Sequence, residues 1–140
     1  MGGRIGPSQQ RAETEEYDGS SWSEQNDLSA GRQRGSGAGS QTAGLYFGGI
    51  GDPDATEEYD GTNWTSSNAL ISGRHALTGA GASNTAGLVF GGNSLTVAVE
   101  GYDGTAWSTR PSMATTRFTT STTLSFRAVW TRMAMGFVIR

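Results

Sequence analysis

Short apolar segments recur along the chain, separated by polar stretches. Ala43–Phe47 and Ala86–Phe90 each run through alanine, glycine, leucine, one further apolar or aromatic residue and phenylalanine, and two glycines follow each segment. An apolar run of this length that ends at glycine is typical of a buried strand closed by a turn. The pattern therefore predicts two equivalent buried strands in two parts of the chain.

A half-polar segment follows each apolar run. Thr56–Tyr59 has the composition of a half-exposed strand, and Asp60 and Gly61 come directly after it. Asp-Gly between two strands is a hairpin signal, so Trp64 is expected on the return strand. The stretch Gly35–Ser40 is nearly free of side chains, which fits the innermost strand of a sheet where neighbouring sheets crowd together.

These elements repeat, with 42 and 43 residues between successive tryptophans. A repeat of about 40–50 residues, built from short strands and glycine turns, indicates an all-β fold of the β-propeller kind. We expect four-stranded antiparallel sheets at 36–66 and 78–109 and two outer strands at 14–24. The aromatic and cationic positions that recur are Tyr17, Tyr59, Tyr102, Trp22, Trp64, Trp107, Arg32, Arg74 and Arg117.

The landmarks of residues 12–118 resemble the kelch repeat, in which a strand ends in two glycines and a tyrosine and then a tryptophan follow. This resemblance implies kelch-like propeller blades whose aromatic residues pack between neighbouring blades. The amino-acid sequence of the repeats is also similar to that of kelch-like arrays in virion and tail-associated proteins of marine bacteriophages, and this similarity implies a viral structural setting. The matching residues are Gly48, Gly49, Tyr59 and Trp64 in one repeat and Gly91, Gly92, Tyr102 and Trp107 in the next.

The number of blades is small for a closed ring. The chain holds about three blades' worth of repeat, whereas propellers typically have about four to eight. The alternatives are an open arc, a ring assembled from several chains, and a fragment of a longer array; we favour the last two. The repeat pattern fails after residue 118, where 119–126 and 128–139 are candidate closing strands. A shifted reading frame at this point is a further hypothesis.

Composition and charge exclude several classes of function. The chain has 22 glycines and no cysteine, and all ten of its basic residues are arginine, so disulfides, thiolate metal sites and lysine chemistry are excluded. Residues 1–103 carry a net charge of −8 and residues 104–140 carry +5. We expect no nucleic-acid partner, because phosphate binding needs clustered cations. No apolar run approaches the ~18 residues of a membrane span, and we expect no cofactor.

The candidate chemical groups have structural interpretations. His75 is the only histidine, so a catalytic triad or a zinc site lacks partners. The Glu-Glu pairs at 15–16 and 57–58 recur, and adjacent strand residues point to opposite faces, so we interpret them as solvated strand positions. Asp52 and Asp54 lack the further oxygen ligands that a calcium loop supplies.

The recurring aromatic and arginine residues leave two alternatives each. The tyrosines and tryptophans either pack between blades, which we favour, or stack on sugar rings. Arg32, Arg74 and Arg117 either ring the central axis as an anion site or pair with glutamates of a neighbouring blade.

No set of residues has the composition of an active site. The sequence therefore predicts a noncatalytic kelch-like module that binds a protein or a glycan, and the resemblance implies a setting in a phage particle or tail. The alternatives are a purely structural repeat of a larger assembly and, less favoured, a propeller-class enzyme. The apolar, basic segment 118–140 is the expected surface for self-association or for docking in a larger assembly.

Overall fold

The computed structural model describes residues 4–5, 9–93 and 96–114. Regular structure in these residues consists of antiparallel β-strands, as the sequence predicts. The candidate strands at 119–126 and 128–139, and Arg117, lie outside the described residues.

The strands form one hairpin and three further sheets. The hairpin pairs β1 with β2, close to the beginning of the chain, and the sequence pattern did not predict it. Sheet I contains β3 and β4, sheet II contains β5 to β8, and sheet III contains β9 to β12. The strands are β1 Arg4–Ile5, β2 Gln9–Gln10, β3 Thr14–Tyr17, β4 Trp22–Gln25, β5 Ser36–Ser40, β6 Ala43–Phe47, β7 Thr56–Tyr59, β8 Trp64–Ser67, β9 Thr78–Ser83, β10 Ala86–Phe90, β11 Val99–Tyr102 and β12 Trp107–Arg110.

Sheets II and III have the same architecture. In each, four strands lie in sequence order and every neighbouring pair is antiparallel. The pairing register is also equivalent, because Tyr59 opposes Trp64 in sheet II and Tyr102 opposes Trp107 in sheet III. The two predicted four-stranded sheets are therefore confirmed. The three sheets do not close into a ring within the described residues.

The turn between the third and fourth strands is fixed by an aspartate. The Oδ1 atom of Asp60 accepts hydrogen bonds from the backbone N–H groups of Thr62 and Asn63, at 2.8 and 2.7 Å. Gly61 has a φ of 95°, in the region that glycine adopts most easily. These backbone donors hold the pKa of Asp60 below its ordinary value. This local chemistry explains why Asp-Gly marks the hairpin in every repeat.

The core lies between sheets II and III. Strands β5 and β9 lie against each other, and a Cβ atom added to Gly79 would come within 2.9 Å of the carbonyl oxygen of Gly37. The glycines of the inner strands therefore permit close contact between backbones. The buried cluster at this interface consists of Leu45, Phe47, Leu70, Leu77, Val89, Tyr102 and Trp107.

Candidate functional site

A tryptophan hydrogen bond joins sheet III to sheet II, and another joins sheet II to sheet I. The indole Nε1 of Trp107 in sheet III donates to Oγ1 of Thr56 in sheet II at 2.9 Å. Trp64 in sheet II donates to Thr14 of sheet I in the same way, also at 2.9 Å. The repeat therefore specifies the packing between sheets as well as the strands within each sheet.

A tyrosine hydroxyl adds a second polar contact at the interface between sheets II and III. The hydroxyl of Tyr102 donates to Oε1 of Glu58 and shares a hydrogen bond with the Ser67 hydroxyl. Burial, followed by the contact with Glu58, raises the pKa of Tyr102 to about 12. Burial and the nearby Glu16 carboxylate likewise raise the pKa of Tyr59 to about 12 at the interface between sheets I and II.

The exposure of the recurring aromatic residues follows the presence of a preceding sheet. Trp107 is 6% exposed against sheet II, which has four strands. Trp64 is half-buried against the two-stranded sheet I. Trp22 is 67% exposed and Tyr17 is 49% exposed, because no described sheet covers the face of sheet I on which they lie. We favoured packing of these aromatic residues between neighbouring sheets. Trp107 packs in this way and Trp64 does so in part, whereas no described sheet packs against Trp22.

The double glycines close the second strand of each four-stranded sheet. Gly48 and Gly91 have φ values of 67° and 69°, and the glycine after each has a positive φ as well, 110° for Gly49 and 123° for Gly92. A Cβ atom on Gly48 would lie 2.5 Å from Cδ2 of Leu77. Backbone conformation therefore favours glycine at all four positions, and at Gly48 the lack of space requires it as well.

Arg32 and Arg74 do not form an anion site. Each is buried and pairs with a buried glutamate, Arg32 with Glu57 at 2.5 Å and Arg74 with Glu100. Each arginine precedes the first strand of the sheet that carries its glutamate, so the pairing lies within one repeat, not with a neighbouring blade. A buried guanidinium that a carboxylate already neutralises does not hold an external anion. The third arginine of the series, Arg117, lies outside the described residues.

Glu57 is buried, and our interpretation of it as a solvated strand position is wrong. Besides the arginine, its Oε2 atom accepts a hydrogen bond from the backbone N–H of Ser29 at 2.9 Å. Glu100 accepts from the backbone N–H of Ile71 at 2.8 Å. The glutamate therefore fastens the segment that connects one sheet to the next. The sequence signal was available, because the arginine and the glutamate recur at nearly the same spacing, 25 residues in one repeat and 26 in the next.

A cleft of about 540 Å³ lies between sheets I and II. One wall is strand β3, which pairs only with β4 among the described strands, so its second edge is open. The corresponding strands β7 and β11 are paired on both edges. The lining is contributed by Thr14–Tyr17, Gly37–Gln41, Gly44, Leu45, Tyr59 and Trp64.

Among the described residues, sheets II and III have four strands each, whereas sheet I has two. The cleft lies beside sheet I, at the position that the first two strands occupy in sheets II and III. Next to sheet III, the inner strands of sheet II place Leu45 and Phe47 in the buried cluster. Sheet I has no described inner strands, so no equivalent leucine and phenylalanine of sheet I pack against sheet II. The cleft therefore presents an open strand edge, a glycine-rich wall and the side chains of Glu16, Tyr59 and Trp64.

The other candidate groups do not assemble into a site. The part of the chain that the structure describes contains no group of three or more His, Cys, Asp or Glu side chains that could hold a metal ion. The stretch Gly35–Ser40 contributes strand β5. Asp52 and Asp54 are exposed in the loop between β6 and β7. Nor do the described residues include a helix with the length and hydropathy that crossing a bilayer requires.

Comparison with known proteins adds no family. No protein-family model matches the chain, and no curated protein matches it.

Proposed function

We propose that the chain is a noncatalytic, kelch-like repeat module whose three sheets are successive propeller blades, and that it binds protein within a larger assembly. Two observations support the blade interpretation. The glycine-rich inner strands β5 and β9 lie side by side, and the Trp–Thr hydrogen bond has the same length at both interfaces. The virion or tail setting that the sequence resemblance implies is part of this proposal.

The open edge of β3 is the observation that carries the binding function. An unpaired strand edge presents backbone N–H and C=O groups that an extended segment can pair with, and this mode of peptide binding is common. Here the edge faces a cleft of about 540 Å³ rather than open solvent. The backbone supplies the hydrogen bonds, and the cleft selects the side chains.

The complete sheets indicate which strand fits. In sheet III, β10 pairs with β11 so that Leu88 opposes Gly101 and Phe90 opposes Val99. The same register on β3 places leucine opposite Glu16 and phenylalanine opposite Thr14. The bound strand therefore carries apolar residues two positions apart, and basic residues nearby favour it because β3 is acidic. The apolar, basic segment 118–140 of another copy has this composition, and so would a docking segment of a larger partner.

A peptide of residues 84–92 tests strand addition directly. A fluorescent peptide of this sequence should bind the full-length protein saturably, as measured by anisotropy, and it should protect the amides of Thr14–Tyr17 from hydrogen exchange. The matched control is the same peptide with alternate backbone amides N-methylated, which keeps the side chains and removes the strand hydrogen bonds. Equal binding of both peptides, or no binding of the first, contradicts the proposal.

Glycan binding is a second candidate function, favoured by one observation. Tyr17 and Trp22 are both exposed, and their ring centroids lie 5.1 Å apart, which gives an aromatic surface on which a sugar ring can stack. A glycan array probed with the full chain and with Trp22→Ala distinguishes the two candidates. A signal that disappears in the variant assigns this function to the exposed pair.

A further inference from the structure

The face of sheet II that receives sheet III carries three polar residues, of which Thr56 and Glu58 accept hydrogen bonds from sheet III and Ser67 donates one to it. The hydroxyl of Thr56 accepts from the Trp107 indole, and the Tyr102 hydroxyl contacts Glu58 and Ser67. Sheet III has the same strand order and register, so its corresponding face can be compared position by position. The residues of sheet III that correspond to Thr56, Glu58 and Ser67 are Val99, Gly101 and Arg110.

The outer face of sheet III, which points away from sheet II, is therefore apolar and basic. Cross-strand partners share a face, and Leu88 pairs with Gly101 while Val99 pairs with Phe90 and Arg110. Leu88 is 42% exposed, although its counterpart in sheet II is buried. The Arg110 side chain lies against Gly101, so a cation covers the place where sheet II has a carboxylate.

The outer face of sheet I, which points away from sheet II, has the complementary character. Tyr17 pairs with Trp22 and Glu15 pairs with Glu24, so two aromatic rings and two carboxylates share this exposed face. The Tyr17 hydroxyl donates to the carbonyl of Gly19 at 2.8 Å. The Tyr17 hydroxyl therefore has its hydrogen-bond acceptor within its own turn, whereas the Tyr102 hydroxyl finds its acceptor on the facing sheet.

We propose that the outer face of sheet III docks onto the outer face of sheet I of a second copy of this chain, head to tail. The Tyr–Trp pair of one copy then meets the apolar strands of the other, as Tyr102 and Trp107 meet sheet II. Arg110 takes the place of Ser67 and lies against the Tyr17 ring, where a guanidinium is attracted by the aromatic face and by the neighbouring carboxylates. Such a head-to-tail contact forms a ring if its rotation closes.

The proposal adds a surface to the self-association proposed above, and it does not require the cleft. Sedimentation velocity of the full-length protein up to tens of micromolar measures the association. The variant Arg110→Glu should weaken it about tenfold or more, because it places a carboxylate against an acidic face and removes the cation. The matched control is Arg34→Glu, which changes the net charge equally at an exposed arginine between sheets I and II and should leave association unchanged.

A gain-of-affinity variant tests the register of the two faces. Val99 stands where Thr56 accepts the Trp107 indole, so Val99→Thr offers an acceptor to Trp22 of the second copy. Association should strengthen about fivefold, the effect of one net hydrogen bond. In a Trp22→Phe background, which lacks the indole N–H, the same substitution should have no such effect.

The possible outcomes separate this surface from the proposed function. A protein that stays monomeric at tens of micromolar overturns the docking. Association that Arg110→Glu leaves unchanged also overturns it. In either case, binding of the 84–92 peptide along β3 is measured separately and is unaffected by the result.

Discussion

The three recurring tryptophans form a natural mutational series, because one repeat position occurs with three degrees of burial. Trp107 is 6% exposed, Trp64 is half-buried and Trp22 is 67% exposed. Substitution by alanine at each position removes the same atoms from the same place in the strand pair. Differences in stability therefore measure what the preceding sheet contributes.

The structure gives the magnitude at the two ends of the series. A buried tryptophan covers roughly 150–250 Å², which at about 25 cal/mol per Å² corresponds to about 4–6 kcal/mol as an upper limit. Trp107→Ala also removes an edge-to-face contact with Phe47 at 5.1 Å and leaves the buried Thr56 hydroxyl without its donor. We expect about 3–5 kcal/mol, the usual range for such substitutions.

Trp22→Ala should reduce stability far less. About a third of its surface is buried, mainly against Tyr17, and solvent fills the space that the ring leaves. We expect about 1 kcal/mol, with Trp64→Ala between the two ends.

Urea unfolding followed by circular dichroism provides the measurement, because the change removes a fluorescent reporter. The protein concentration must be one at which sedimentation shows a monomer, since docking between copies would bury Trp22. If Trp22→Ala and Trp107→Ala reduce the free energy of unfolding equally, a covering surface must exist on sheet I. If Trp107→Ala costs less than about 1 kcal/mol, the packing between sheets II and III is not as described.

Two further predictions concern the tyrosines and the glycines. The folded-state pKa of Tyr102 is raised to about 12, above its unfolded value near 10, so the contribution of this group to stability should be constant up to about pH 10 and be lost between pH 10 and 12. Urea unfolding across this range checks it, and Tyr102→Phe should flatten the slope, leaving the part due to Tyr59; an unchanged slope contradicts the assignment. Gly48→Ala should destabilise by more than Gly19→Ala, because both have positive φ but only Gly48 also lacks room for a Cβ. Thermal unfolding compares the pair, and equal shifts would mean that backbone conformation alone sets the requirement.

Much of the strand architecture was predictable because the signals that define it are local. Asp60 and Gly61 fix a turn through the aspartate's own backbone neighbours, and the double glycine at 48–49 ends a strand through its φ values. Local signals of this kind do not depend on distant parts of the chain. Repetition at 42 and 43 residues then made the same interpretation apply twice.

Burial of the glutamates was not predictable by the same means. Alternation along a strand predicts that Glu57 and Glu58 point to opposite faces, but it does not indicate whether another sheet covers either face. In sheet II both faces are covered, so Glu57 pairs with Arg32 while Glu58 meets Tyr102 of the next sheet. A periodic strand between two sheets has no solvated side, and its charged residues must find partners.

The departures from the repeat carry the most information about the ends of the series. An alignment of the repeat sequences shows no relation between the substitutions at Val99, Gly101 and Arg110, because these residues lie on two strands and up to eleven residues apart. The pairing register places them on one face, where together they replace the polar groups that Thr56, Glu58 and Ser67 provide in sheet II. One such change would be ordinary variation between repeats. Three on one face show that this side of sheet III differs in chemistry from the side of sheet II that receives a sheet, and this difference is the observation from which the docking of a second copy is proposed.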